Sequence, residues 1–324
     1  MSAVVVLRDL SFHYPGGRGV SGISFEAGAG EVVCIFGWNG AGKTTLLKLL
    51  ATVIPPATGS FLVCGCDVTA DREAVRRKIF PVFDASAHFS HLTGRMNALF
   101  FLSLYGISEP GTLDRIAAGF DLDLDQLAGE YSLGMKRKLL LSECFASGRE
   151  VLVFDEPTLG LDTAMCGIFF TRVREAAQAG ACVIIGTNRI EDAGFADRIL
   201  LLEKGTLRPA ASVESLVAGM MKITITLADR ELVEYIPSAD ELPHLIRKCL
   251  TLGVLRRIDV VQAGEDRAGG SGLWTPEAEE KVGRAPRFLR KMIRSLVERY
   301  AREHGLSRIT PDVVDEVKER FEQR

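Results

Sequence analysis

A glycine-rich segment near the N-terminus constrains the fold of this chain more than any other feature. It comprises Gly37, Trp38, Asn39, Gly40, Ala41, Gly42, Lys43, Thr44 and Thr45. An apolar run precedes it and a helical pattern follows it, which is typical of a loop that wraps around a polyphosphate. Glycine lets the main chain turn its N–H groups inward, and the helix start adds positive dipole there. The segment predicts a nucleoside triphosphate site between a strand and a helix.

A second motif ends in two acids. An apolar run at residues 151–154 is followed by Asp155 and Glu156. A buried strand here places Asp155 beside the glycine-rich loop, where it can hold Mg²⁺ through water together with the Thr44 hydroxyl. Glu156 then points toward the γ-phosphate and is suited to orient and deprotonate an attacking water. Since Lys43 can reach the β- and γ-phosphates, the two motifs together predict triphosphate hydrolysis.

Short apolar runs alternate with helical patterns over most of the chain. Those rich in Val, Ile, Leu and Phe lie at residues 4–7, 32–36, 151–154, 183–186 and 199–202. Continuous apolar strands between helices favour a mostly parallel sheet that helices cover on both faces. The sequence therefore predicts an α/β domain over residues 1–218.

Charge and hydropathy limit where such a domain works. The 324-residue chain has a net charge of -3, which gives no reason to expect nucleic acid as a partner. Its apolar runs are shorter than the ~18 residues that cross a bilayer, and the N-terminus lacks a signal-peptide layout. Cys64 and Cys66 form a Cys-Gly-Cys step without the further ligands of a zinc site. We expect a cytosolic protein that another chain holds at any membrane.

Two further motifs flank the two acids. Tyr131-Ser-Leu-Gly-Met-Lys-Arg137 precedes them, and Gly160-Leu-Asp162 follows them. With the glycine-rich loop, these motifs resemble those of ABC transporter ATP-binding subunits, in the Tyr-Ser-x-Gly-Met form often met in export-type members. The resemblance covers residues 1–218. It implies a P-loop NTPase (ABC ATPase) fold with a mixed, mostly parallel sheet and a helical signature subdomain, with ATP and Mg²⁺ as cofactors.

The resemblance also implies roles for individual residues. Ser132 and Gly134 match the positions that contact the γ-phosphate bound to the opposite subunit. Asp162 lies in the loop through which two nucleotide-binding subunits meet, as a homodimer or as a heterodimer. Tyr14 matches the aromatic residue that stacks on adenine, and its pattern alone also fits a core tyrosine.

Two positions depart from the family pattern. Asn188 stands where the family usually carries a histidine that contacts the γ-phosphate. Asparagine can hydrogen-bond a phosphate oxygen but carries neither charge nor proton. Asp84 aligns with the glutamine that approaches Mg²⁺ and the attacking water, and its carboxylate can ligate Mg²⁺ or repel the γ-phosphate. Both departures predict good ATP binding with slow hydrolysis at the subunit's own site.

The resemblance thus predicts an energy-coupling subunit on the cytoplasmic face of the cell membrane. It would drive a separate transmembrane permease by ATP-dependent dimerisation, and the surface between the Asp84 loop and Leu104 would contact that permease. A regulatory ATP sensor that signals through its C-terminal part is the alternative. A soluble ABC protein acting on nucleic acid is disfavoured, because such proteins usually carry two nucleotide domains or a long coiled-coil insertion.

The pattern changes after the first domain. Residues 219–263 predict a small accessory α+β module. Its strands are expected at residues 222–227, 232–236 and 257–261, and its helix at residues 240–249. Residues 264–272 are rich in Gly, Ser and charge and predict a flexible linker.

Residues 273–324 predict a helical tail. Thr275-Pro276-Glu277 and Thr310-Pro311-Asp312 are matching helix starts, with a hydroxyl N-cap, a first-turn proline and an acid. The tail resembles the small C-terminal helical domain of the B subunit of light-independent protochlorophyllide reductase, without that enzyme's larger catalytic part. We expect a packing role or a docked partner protein. A tetrapyrrole-like ligand, or anionic lipid at a basic face that includes Arg290 and Arg294, remains open.

Overall fold

A computed structural model describes most of the chain. The described residues are 3–83, 87–107, 111–217, 220–228, 231–236, 242, 245–246, 255–262, 274–283, 290, 293–294, 297–298, 300–301, 304, 306 and 308–322. The chain divides into two units, Met1–Leu216 and Val217–Arg324. Over the described part, every helix is too short or too polar to cross a bilayer.

The first unit contains two sheets. Its strands are β1 (Ala3–His13), β2 (Gly19–Gly28), β3 (Val32–Phe36), β4 (Thr58–Val63), β5 (Cys66–Asp67), β6 (Ile79–Val82), β7 (Val151–Asp155), β8 (Cys182–Thr187), β9 (Arg198–Glu203) and β10 (Thr206–Ala210). The larger sheet has the order β10-β9-β3-β8-β7-β6 and is parallel apart from the β9–β10 pair. The smaller sheet, β2-β1-β4-β5, is antiparallel. The predicted α/β fold with a mixed, mostly parallel sheet is confirmed.

The central strands are continuously apolar because both of their faces are buried. Along β7, Leu152 and Phe154 belong to one apolar core, whereas Val151 and Val153 belong to the other. Alternate residues of a strand point to opposite faces, so the two cores lie on opposite sides of the larger sheet. Each of the five predicted strand runs lies within an observed strand.

Helices lie between or after these strands, and several of them begin within or directly after the predicted motifs. They are α1 (Lys43–Leu50), α2 (Arg72–Arg76), α3 (Gly94–Leu104), α4 (Leu113–Gly119), α5 (Leu133–Ala146), α6 (Thr163–Gln178), α7 (Ile190–Ala193) and α8 (Val213–Leu216). Thr93, Ser132 and Asp162 cap α3, α5 and α6, each accepting a hydrogen bond from the N–H three residues on. Such caps satisfy N–H groups that a helix start leaves unpaired.

The second unit begins with an antiparallel sheet. Its strands are β11 (Met221–Leu227), β12 (Glu231–Ile236) and β13 (Leu255–Gln262), in the order β12-β11-β13. Ile223 and Ile225 are buried with Leu245. The three strand predictions are confirmed. The helix predicted over residues 240–249 is described only at 242 and 245–246, which are helical, and residues 264–272 lie outside the described residues.

Helices α9 (Pro276–Gly283) and α10 (Pro311–Glu322) begin at the two predicted prolines. Thr275 Oγ1 accepts a hydrogen bond from the Ala278 N–H at 3.3 Å, as a helix cap does. Their small core comprises Ala278, Val282, Val297, Ala301, Ile309, Val314 and Val317. Arg294 lies 5.2 Å over the Trp274 ring and pairs with Glu279, so this arginine of the predicted basic face already has partners.

Candidate functional site

The glycine-rich loop joins β3 to α1 in a conformation that requires glycine. Gly40 and Gly42 have φ values of 83° and 107°, in the left-handed region that side chains disfavour. A Cβ atom on Gly37 would lie 2.7 Å from the Leu202 carbonyl oxygen. Gly42 is the N-cap of α1 and provides no side-chain cap. The N–H groups of this helix start are thereby left for an anion, as the motif predicts.

Lys43 bends back over this loop. Its Nζ donates hydrogen bonds to the carbonyl oxygens of Gly37 at 2.7 Å and Trp38 at 3.5 Å. The same atom lies 3.2 Å from Glu156 Oε1, and Lys43 is only 6% exposed. A buried ammonium group is costly without an anionic partner, and Glu156 supplies one.

Thr44 and Asp155 form the part of the site that fits a magnesium ion. The Thr44 hydroxyl donates to Asp155 Oδ2 at 2.7 Å. Within the described part of the chain, the buried Oδ1 of Asp155 has no hydrogen-bond partner. Burial raises the pKa of Asp155, and the Thr44 hydrogen bond opposes this shift. A buried carboxylate oxygen without a partner, beside a hydroxyl, suits a hard cation with oxygen ligands.

Glu156 follows β7 and faces both the loop and the end of β8. Its φ of 46° is left-handed, which is uncommon for a residue other than glycine. While Oε1 contacts Lys43, Oε2 accepts from the Thr187 hydroxyl at 3.3 Å and from the Asn188 N–H at 3.4 Å. The carboxylate is thus held between the end of β8 and Lys43.

Asn188 lies directly against the glycine-rich loop. Its Nδ2 donates to Asn39 Oδ1 at 3.0 Å. The preceding Thr187 hydroxyl lies 3.0 Å from Asp192 Oδ2, which also accepts from the Thr158 hydroxyl at 2.6 Å. Burial raises the pKa of Asp192 to about 6. These hydrogen bonds hold the segment after β8 in place, with the Asn188 side chain against the glycine-rich loop. Its predicted contact with the γ-phosphate stays a prediction.

The predicted signature residues lie together at the starts of α5 and α6. Ser132 Oγ accepts from the Met135 N–H at 3.2 Å, and Asp162 Oδ1 accepts from the Met165 N–H at 2.9 Å. A shallow cavity between the two helix starts is lined by Ser132, Gly134, Met135, Lys138, Gly160, Leu161, Asp162 and Met165. The adjacent Leu133 is 79% exposed. This arrangement presents Ser132 and Gly134 on the surface, where a second subunit can reach them.

Tyr14 and Trp38 are also predicted site residues. Tyr14 follows β1 and is 37% exposed, with its ring edge-on to Phe12 at 4.8 Å, so it is not buried as a core tyrosine would be. Trp38 packs edge-on against Phe36 at 5.3 Å. Asp84 lies outside the described residues, so its predicted place near Mg²⁺ stays a prediction.

Two residues of the site were assigned no role from the sequence. They are Thr187, which contacts Glu156, and Arg137, which donates hydrogen bonds to the carbonyl oxygens of Asp155 and Glu156. One signal for Arg137 is present in the sequence. It shares a helical face with Leu141 and Cys144, which are fully buried, and a charge on a buried face needs a partner.

The fold and the site define a phosphate-loop nucleotide-binding domain. The family model described as ABC transporter matches residues 20–159. The daunorubicin/doxorubicin resistance ATP-binding protein of Streptomyces peucetius is 35% identical over 198 residues, which cover 59% of this chain and 60% of that protein. The Nod factor export ATP-binding protein I of Burkholderia orbicola is 32% identical over 209 residues, 63% of this chain and 69% of that protein. The chain belongs to the family of ABC transporter ATP-binding proteins.

Solved structures agree with this assignment. An ATP-binding subunit of an ABC transporter matches with a TM-score of 0.60 and 25% identity, over 66% of this chain and 91% of that one. A dimeric ATP-binding cassette bound to ADP and Pi shares the fold, with a TM-score of 0.59 at 20% identity, over 64% of this chain and 98% of that one. Residues 274–318 match the family model described as Proto-chlorophyllide reductase 57 kD subunit, a short match within the predicted tail.

Proposed function

We propose that this chain is the ATP-binding and ATP-hydrolysing energy-coupling subunit of an export-type ABC transporter. The observation that carries the proposal is the convergence of Lys43 and Glu156 at one end of the site with Thr44 and Asp155 beside them. Relatives named for drug resistance and for Nod factor export support the export assignment. A separate transmembrane permease would complete the transporter.

The contacts of Glu156 suggest how the site turns over. When ATP enters the glycine-rich loop, Lys43 Nζ moves from Glu156 Oε1 to the β- and γ-phosphates. The released Glu156 carboxylate orients a water molecule and accepts its proton while the water oxygen bonds to the γ-phosphorus. The bond to the bridging oxygen breaks, and ADP leaves with the electron pair. Mg²⁺, held by Thr44 and Asp155, would supply neutralisation of the phosphate charge.

A second nucleotide-binding subunit would complete the site. Ser132 and Gly134 lie at the surface beside Asp162, so they can face the γ-phosphate bound to another subunit. ATP would then draw two such domains together, and hydrolysis would let them part. An identical or a different subunit satisfies this geometry.

Asn188 is the reason to propose that hydrolysis is slow. Its side chain donates to Asn39 of the glycine-rich loop instead of presenting a charged ring to the γ-phosphate. An uncharged amide stabilises the developing charge less than a protonated imidazole would. Because Glu156 is retained as the general base, we expect hydrolysis to be slowed and not abolished.

Asn188→His is expected to raise kcat for ATP about ten-fold or more, because a lost electrostatic donor typically costs ~10²–10³ in rate. Steady-state phosphate release from the purified full-length protein measures this. Asn188→Gln, which keeps an uncharged amide at this position, is the matched control and should turn over like the native protein. A native protein that already turns over as fast as its Asn188→His variant would refute the slow-site proposal.

An exposed apolar surface supports the proposed permease contact. It lies on α3 and the segment before it, within the region predicted from the sequence. Its exposed side chains are Phe89, Met96, Leu99, Phe100 and Leu104. Aromatic rings also pack on one another here, with the Phe89 and Phe100 centroids 5.4 Å apart. Exposed apolar clusters of this kind commonly mark sites of interaction with proteins.

Phe100→Asp is expected to reduce severalfold the fraction of the chain that sediments with membranes of cells producing the whole transporter, because the contact would have to desolvate a charge. Val53→Asp, at a 51% exposed apolar residue after α1, is the matched control and should sediment like the native chain. Equal sedimentation of both variants and the native protein would contradict the surface assignment.

A regulatory ATP sensor is the second candidate, favoured by the Asn188–Asn39 hydrogen bond. A sensor binds ATP with almost no turnover and needs no permease. Recovery of a transmembrane protein with the native chain, lost in Phe100→Asp, would support the transporter subunit over the sensor. A partner protein or tetrapyrrole-like ligand of the tail stays a prediction from the sequence.

A further inference from the structure

A buried arginine joins three parts of the nucleotide site. Arg137 lies in the first turns of α5, shortly after Ser132, and only 7% of it is exposed. Its Nη1 donates to the Phe83 carbonyl oxygen at 2.9 Å. Its Nη2 donates to the carbonyl oxygens of Asp155 at 3.2 Å and Glu156 at 2.6 Å. A buried guanidinium is stable only with such partners, and these three acceptors are main-chain carbonyl groups at the ends of β6 and β7 or directly after them.

These carbonyl groups lie where two neighbouring strands separate. The β6–β7 pairing runs in parallel up to Val82 and Phe154. Beyond that point the described residues of the two strands no longer hydrogen-bond to each other. The Arg137 guanidinium instead binds the main chain at the end of each strand. Hydrogen bonds from a charged donor are roughly twice as strong as neutral ones. The planar guanidinium of arginine carries several N–H donors and can reach both strand ends at once, whereas a lysine is a single point charge.

Glu156 is the residue that most needs this support. Its left-handed φ of 46° is unfavourable and persists only where the surrounding structure imposes it. Its N–H donates to the Gly186 carbonyl oxygen at 2.8 Å, and its own carbonyl oxygen accepts from Arg137. Both main-chain groups of Glu156 are thereby held, and this backbone directs the carboxylate toward Lys43.

We infer that Arg137 is a positioning residue for ATP hydrolysis, which fixes the Glu156 main chain relative to the helix that starts at the signature residues. The inference rests on the proposed ATPase function. The three hydrogen bonds reach the ends of β6 and β7 and not the glycine-rich loop, so loss of Arg137 affects the catalytic carboxylate more than ATP binding.

Arg137→Met, which keeps most of the side-chain volume, tests this in the full-length protein. We expect kcat to fall about 10- to 100-fold, because small displacements of a catalytic group are costly in rate. The Kd for a fluorescent ATP analogue should stay near the native value. Arg137→Lys should retain more activity than Arg137→Met. In Arg137→Ala, millimolar guanidinium ions should restore part of kcat by occupying the vacated position.

Arg174→Met is the matched control. Arg174 on α6 also donates to a main-chain carbonyl, that of Phe195, and pairs with Asp197 at 2.7 Å, but it makes no described contact with the acids of the site. The kcat of Arg174→Met should stay near the native value. An unchanged kcat in Arg137→Met overturns the inference. So does a parallel loss of kcat, ATP affinity and thermal midpoint without guanidinium rescue, which indicates a structural role alone. A native protein without ATPase activity overturns the proposed function itself.

Discussion

Glu156→Gln is expected to lower kcat for ATP by on the order of 10³-fold, while ATP still binds. The amide has nearly the same shape as the carboxylate but cannot accept a proton from the attacking water. The substitution also removes the anion that lies 3.2 Å from Lys43 Nζ. Since ATP binding requires Lys43 to leave that anion, ATP affinity should stay equal to the native value or increase.

Single-turnover phosphate release and equilibrium binding of ATP together check this prediction. ATP should also hold the Glu156→Gln variant in a dimer that size-exclusion chromatography detects, if two nucleotide domains close around it. Glu150→Gln is the matched control, because Glu150 precedes the same strand, pairs with Lys78 at 3.4 Å and is half exposed. Native-like kcat in Glu156→Gln would exclude Glu156 as the general base.

Lys43→Ala is expected to weaken ATP binding by on the order of 10²-fold, equivalent to about 3 kcal/mol. The side chain is the one cation that we place inside the glycine-rich loop, and its hydrogen bonds to Gly37 and Trp38 also hold that loop in shape. Its loss removes the charge-assisted hydrogen bonds to the β- and γ-phosphates. It also leaves Glu156 without its ion-pair partner.

Titration calorimetry with ATP and with ADP separates these effects. The loss of affinity should be larger for ATP than for ADP, because Lys43 reaches both the β- and the γ-phosphate. Lys48→Ala provides the control, since Lys48 lies in the last turn of the same helix α1, away from its N-terminus. Equal ATP affinity in Lys43→Ala and the native protein would show that the polyphosphate does not occupy the loop as proposed.

Much of the nucleotide site could be predicted from local patterns. The glycine-rich loop and the strand followed by the two acids Asp155 and Glu156 are each encoded by contiguous residues. Such signals depend on spacing and on backbone preferences, so they are readable without any knowledge of tertiary contacts. The antiparallel sheet β2-β1-β4-β5 was harder to predict from the sequence, because its β1–β4 pairing joins segments far apart in the chain.

The sequence by itself thus determined the fold class, the phosphate-binding loop and the replacement of a histidine by Asn188. The tertiary structure alone decided how these parts meet: the Lys43–Glu156 ion pair, the Asn188–Asn39 hydrogen bond and the buried Asp155 oxygen that has no partner among the described residues. It also brought Arg137 beneath the two acids. The physical reason is the distance along the sequence between the residues that interact. Loops and helix caps follow from neighbours in the chain, whereas ion pairs and buried hydrogen bonds form between residues that only packing brings together.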